Sequence, residues 1–200
     1  MEMMNGRIYK VMEFIKNAFL LNILWLVMCL PILTVFPATT AMFGVVRAWQ
    51  KQGDIQIFSD FFRIFRENFK QSLLIGFLWM FLAGLLLGDF IIINHLNANM
   101  KYTLFPFFLF LGILYLFVSI YIFPVMVHYQ VSWKNAIKNA LLFSVSYLHY
   151  SILSILIIIG AFALCFYIPA AMMLSFSIGA YLIYSIVSRG FHIEKKVHIS

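Results

Sequence analysis

Two hundred residues, of which 64% are hydrophobic and 10% charged, depart far from a soluble domain, where about a quarter of residues carry charge. A chain this short has too little interior to hide 23 Phe, 10 Tyr and 4 Trp from water, so a soluble globular fold is excluded and lipid must be the solvent. The net charge of +7 raises nucleic acid as a partner, but membrane proteins collect Lys and Arg in cytoplasmic loops without one, and no nucleic-acid partner is expected.

A crossing needs about 20 apolar residues. The chain offers six such segments, near residues 14–31, 33–49, 71–93, 103–127, 140–165 and 169–188, and the expected fold is an all-α polytopic membrane protein in one integral membrane domain. The first segment exceeds the apolar core of a signal peptide, roughly 7–15 residues, and reads as a retained anchor. The second, PILTVFPATTAMFGVVRAW from Pro31 to Trp49, is the least regular. Pro31, Thr34, Pro37, Thr39 and Thr40 mark a hairpin turn, and small residues follow. It reads as a full crossing, a re-entrant half-helix or an interfacial helix, and charge placement favours a return to the starting side. With that return, 13 of the 14 Lys and Arg share one face and only Lys101 stands on the other; without it they divide 10 to 4. Both termini of a multi-pass cell-membrane protein are therefore expected in the cytoplasm.

After the second segment, Gln52-Gly53-Asp54 reads as a helix stop and a new N-cap. An interfacial helix is expected over 54–70, with Phe58, Phe61, Phe62, Phe65 and Phe69 recurring at three- and four-residue spacing and Arg63, Arg66 and Lys70 among the polar positions. Its aromatic face would rest at the acyl boundary and its basic groups near anionic headgroups, or the same surface would dock another membrane protein. A shorter element of this kind is expected over Val131–Asn139, around Trp133, Lys134 and Lys138.

The chain also resembles itself. IKNAFLL (Ile15–Leu21), FKQSLLI (Phe69–Ile75) and IKNALLF (Ile137–Phe143) share an apolar residue, Lys, an amide, a small residue and three apolar positions. Each lies where a basic stretch enters an odd-numbered crossing, and Phe36-Pro37, Phe105-Pro106 and Ile168-Pro169 open the even-numbered ones, where a first-turn Pro costs no hydrogen bond. Three helical hairpins are the expected plan.

Polar groups at membrane depth are the default place to look for function. Three candidates stand out: Asn22 in the first segment, Asp89 near the end of the third beside Asn94, His95, Asn97 and Asn99, and His149 in a stripe with Ser146, Tyr147, Tyr150, Ser151 and Ser154. Each also has a structural reading, as interhelical glue, a water-exposed mouth and a satisfied core histidine. HExxH, Walker and GxSxG motifs are absent, as are paired intramembrane carboxylates, and Cys29 and Cys165 each stand alone in apolar runs. No catalytic residue, cofactor or metal site is expected.

The segment Asn22–Thr40, carried by Asn22, Trp25, Pro31, Thr34, Pro37 and the run Ala38-Thr39-Thr40-Ala41, and continued by Phe61-Phe62, Phe65 and Asn68-Phe69, resembles the YesL-like family of predicted bacterial integral membrane proteins. The likeness is specific over about the first 75 residues, and beyond Phe90 it is mainly one of hydropathy. It transfers no activity or ligand site. It implies a setting beside carbohydrate-uptake ABC permeases and two-component sensors, and hence a non-enzymatic accessory or regulatory role whose partner is an ABC sugar permease or a sensor kinase. The alternative is a small solute transporter or channel acting on its own.

Overall fold

The structure, a computed structural model, describes residues 2–53, 55–95 and 97–197. These form seven α-helices: α1 (Glu2–Met28), α2 (Val35–Gln52), α3 (Ile57–Asn94), α4 (Ala98–Tyr129), α5 (Trp133–Ser146), α6 (Leu148–Tyr167) and α7 (Met172–Val197). Single 3-10 turns at Ile32–Thr34 and Pro169–Ala171 lead into α2 and α7. Six stretches are long and apolar enough to cross a membrane: Ile8–Met28, Ile32–Gln52, Ile57–Asn94, Met100–Tyr129, Leu148–Tyr167 and Pro169–Phe191. The protein is a multi-pass helical membrane protein.

Successive crossings run antiparallel, so the bundle has two distinct ends. Phe14 of α1 meets Trp49 of α2 and Tyr181 of α7, Gln71 of α3 bonds the carbonyl of Val131 beyond α4, and Phe143 of α5 meets Phe191 of α7. This end gathers Arg47, Lys51, Arg63, Arg66, Lys70, Lys134, Lys138 and Arg189, and is called the basic end below.

Burial is concentrated there. Val45, Val46, Phe61, Val125, Met126, Ala136, Ala140, Val187 and Phe191 are at most 1% exposed. Toward the other end the helices present Leu87, Ile91, Phe107, Phe110, Phe162 and Phe166 outward. The reason is the solvent. Apolar side chains are driven together only where water would otherwise wet them, whereas hydrocarbon solvates them as well as a protein interior does.

Several elements differ from the sequence expectation. The surface helix over 54–70 is not separate: α3 runs unbroken through the boundary placed at residue 70. Its 38 residues span about 57 Å at 1.5 Å each, against a hydrocarbon layer of about 30 Å, so the helix is longer than one crossing needs and the charged stretch Ile57–Lys70 continues it at its N-terminal end. Phe61 and Phe65 are buried against the protein, while Phe58, Arg63, Arg66 and Lys70 are exposed. Of the expected stripe, Phe61 and Phe65 face the protein and Phe58 does not, since spacing alone does not state whether lipid, water or protein covers a face. Asp54 lies outside the described residues; Gln56 occupies the N-cap of α3, and Gly53 closes α2 with φ 76° and its N–H on the Trp49 carbonyl.

The segment expected over 140–165 is two helices. Tyr147, at φ −123° and ψ 53°, ends α5 and begins α6, its ring stacked on Phe143 and Tyr150 and close against Gly190. The third copy of the repeat, Ile137–Phe143, therefore lies in α5 and not at the mouth of the crossing helix. The motif nonetheless has a common physical content: its small residue, Ala18, Ser72 or Ala140, is buried in every copy. Pro37 and Pro169 sit in first turns as expected, but Pro106 is inside α4 because that helix starts eight residues earlier, at Ala98.

Candidate functional site

The least hydrophobic crossing is the most central. α2 packs on α1, α3, α4 and α7, and Pro37, Ala38, Thr40, Ala41, Gly44 and Val45 are all buried. Small residues let helix axes approach closely, where lipid provides no hydrophobic drive. A Cβ on Gly44 would come within 2.6 Å of Ile64, and one on Gly76 of α3 within 2.5 Å of the Phe36 ring. Two glycines thus set the α2–α3 spacing from opposite sides.

Hydroxyls stitch this contact. The Thr34 hydroxyl lies within reach of the Met28 and Pro31 carbonyls and closes the turn between α1 and α2. Thr39 and Thr40 donate to the carbonyls of Val35 (2.7 Å) and Phe36 (3.0 Å), four residues back in α2. Both hydroxyl oxygens also accept: from Trp25 Nε1 of α1 at 3.2 Å and from Ser72 Oγ of α3 at 2.9 Å.

The three polar candidates do not converge. Asn22 is fully buried and donates Nδ2–H to the Met172 carbonyl at 2.6 Å, while Ser177 bonds the Ala18 carbonyl at 2.7 Å, so α1 is fastened to the start of α7 at two levels. Asn22 Oδ1 has no partner among the described residues. Asp89 is partly buried near the C-terminal end of α3, where Lys101 bonds Asn94 at 3.0 Å. His149 is exposed at the start of α6, its ring against Tyr150. The expected stripe is split, with Ser151 and Ser154 fully buried and His149 outside, because the break at Tyr147 places these residues in the first turns of a new helix.

A cluster that the sequence did not single out lies at the basic end. Arg47 Nη2 reaches the His128 carbonyl at 3.4 Å, His128 Nδ1 lies 3.0 Å from the Tyr184 hydroxyl, and Gln50 bonds the Tyr181 carbonyl at 2.9 Å. Arg47, His128 and Tyr184 are 56 or more positions apart, and each looks like an ordinary flanking residue of its own helix. Their meeting is a tertiary fact.

Nearby, α1, α2, α4, α6 and α7 line an open cavity of about 570 Å³, with Trp25, Met42, Phe43, Phe123, Ile158 and Ile183 in its wall. Its hydroxyls are Thr39, Ser119 and Ser175, which donate to the carbonyls of Val35, Tyr115 (2.6 Å) and Ala171 (2.6 Å). Trp25 N–H is taken by Thr39. Among the described residues no three of His, Cys, Asp and Glu are grouped so that they could hold a metal ion.

Residues 18–90, from late α1 through nearly all of α3, match the model of a protein family described as of unknown function, DUF624. Over 168 residues the chain is 30% identical to the uncharacterized protein YteU of Bacillus subtilis, covering 82% of this chain and 75% of that one. The chain belongs to the DUF624 family, the YesL-like proteins. YesL and YesV of the same organism, also uncharacterized, are 33% and 32% identical over 122 and 127 residues, which span 57% and 61% of their lengths. No solved structure matches the chain. The DUF624 match covers the Trp25–Thr39 and Thr40–Ser72 bonds, both glycine contacts and Asn22.

Proposed function

We propose that this DUF624 protein is a non-enzymatic accessory or regulatory component of carbohydrate uptake or sensing in the cell membrane, with both termini in the cytoplasm and an ABC sugar permease or sensor kinase as partner. The observation that carries the reading is the length of α3, which exceeds a crossing and continues through the charged stretch Ile57–Lys70. Its inner face holds Phe61 and Phe65 in the protein core, and Phe58, Arg63 and Arg66 lie on an outer face, exposed among the described residues. A rigid helix presenting an aromatic group between guanidinium groups has the composition of a protein-binding surface, in which aromatic and Arg residues are enriched. Asp60 holds Arg63 at 2.6 Å and leaves Arg66 outside that ion pair. The carbohydrate setting comes from what the YesL-like resemblance implies.

The cavity supports this reading over conduction of a solute through it. A path for a sugar or an ion needs uncommitted donors and acceptors at depth. The cavity at that depth is apolar, and its hydroxyls and indole N–H are engaged within the protein.

Recovery of the tagged protein from mildly solubilised membranes tests the proposal. A permease subunit or sensor kinase is expected with the wild type and lost from the Arg63→Glu/Arg66→Glu variant. Recovery of neither with the wild type, under conditions that preserve known permease complexes, overturns it.

A further inference from the structure

We propose that the 570 Å³ cavity is a binding site for one acyl chain of a bilayer phospholipid, admitted sideways between α4 and α6. This goes beyond the accessory role and does not depend on it. The floor is built from buried residues, Met42, Phe43, Ala180 and Ile183, whereas Leu116 on α4 and Ile159 and Phe162 on α6 are more than half exposed. The cavity is therefore continuous with the lipid-facing surface.

Two properties of the wall define the occupant. The open cavity is lined almost wholly by apolar groups, too apolar to hold ordered water, so its wall gains dispersion contacts when hydrocarbon enters from the side. Each hydroxyl in the wall already donates to a carbonyl four residues back in its own helix, and the Trp25 N–H is used by Thr39, so no donor remains for a sugar, a headgroup or a carboxylate. Hydrocarbon is what such a wall accepts, and at this depth acyl chains supply it. The volume falls within the roughly 300–1,000 Å³ of ordinary ligand pockets, well above a packing defect.

Gly179 provides the test. It is buried in α7 and lines the cavity, yet a Cβ built on it meets nothing within 4 Å. Gly179→Leu thus fills the space without a backbone clash and improves helix propensity. Gly160→Leu makes the same chemical change on the exposed side of α6, outside the lining, where a Cβ also meets nothing within 4 Å.

The full chain would be reconstituted in vesicles of palmitoyl-oleoyl phosphatidylethanolamine and phosphatidylglycerol, extracted mildly, and its retained lipid weighed by native mass spectrometry. One phospholipid per chain is expected for the wild type and Gly160→Leu, and loss to background for Gly179→Leu. In parallel, chain-brominated phospholipid is expected to quench wild-type tryptophan emission more than that of Trp25→Phe, a readout that needs no filled cavity. Equal retention by all three proteins, or no retention together with equal quenching, overturns the proposal; recovery of a prenyl lipid overturns the phospholipid assignment.

Discussion

Gly76 and Phe36 show how narrow the tolerances are at single positions. With a Cβ predicted only 2.5 Å from the Phe36 ring, Gly76→Ala forces α2 and α3 apart, and overpacking of this kind costs about 1–3 kcal/mol. Phe36→Ala removes the two ring atoms that such a Cβ would meet and is expected to recover part of that loss, so the double mutant should be more stable than the sum of the singles predicts, measured by thermal unfolding in detergent. Asn22 carries a different lesson. Its amide N–H is matched to the Met172 carbonyl, so Asn22→Ala is expected to cost about 1 kcal/mol, in line with interhelical bonds in membranes. Asn22→Asp should cost more, because the new group has lost the donor and a carboxylate is expensive at this depth. Equal unfolding midpoints for the two variants would place Asn22 outside the α1–α7 contact.

At the scale of elements, α3 is the most informative helix. Read as an interfacial helix on lipid, its phenylalanines would be interchangeable. In the structure Phe61 is fully buried and Phe58 is 60% exposed. Phe61→Ala is expected to cost about 3–5 kcal/mol and Phe58→Ala less than about 0.5 kcal/mol, distinguishable by unfolding of the detergent-solubilised protein. Phe58→Ala is nonetheless expected to weaken partner capture, since the exposed ring belongs to the proposed contact face.

The whole molecule behaves as two materials joined end to end. The basic end has a core like that of a water-soluble bundle, while only 11% of the best apolar window is buried in the α3 crossing, and the same share in α6. Stability should therefore be more sensitive to core substitutions near Val46, Phe61 and Phe191 than to similar ones near Ile91 or Phe110. The proposed topology has its own check. In a Cys29→Ser/Cys165→Ser background, Thr34→Cys and Lys51→Cys are expected to react with an impermeant maleimide from opposite sides of the membrane. Labelling of both from one side would make residues 32–52 re-entrant and would require the orientation of the bundle to be redrawn.

Much of this architecture was already legible in the residues. Apolar length indicated most of the crossings and charge placement favoured the second, because the cost of placing unpaired backbone and charge in hydrocarbon leaves few alternatives; of the residues expected at the hairpin turn, Pro31 and Thr34 lie in it, whereas Pro37, Thr39 and Thr40 belong to α2. Tertiary structure decided what covers each apolar face. Periodicity describes one helix at a time, so the same spacing fits a phenylalanine stripe on lipid and the buried stripe of Phe61 and Phe65. The split of the fifth segment at Tyr147, the meeting of Arg47, His128 and Tyr184, and the cavity nearby all depend on neighbours distant in the chain, whose packing no local pattern encodes.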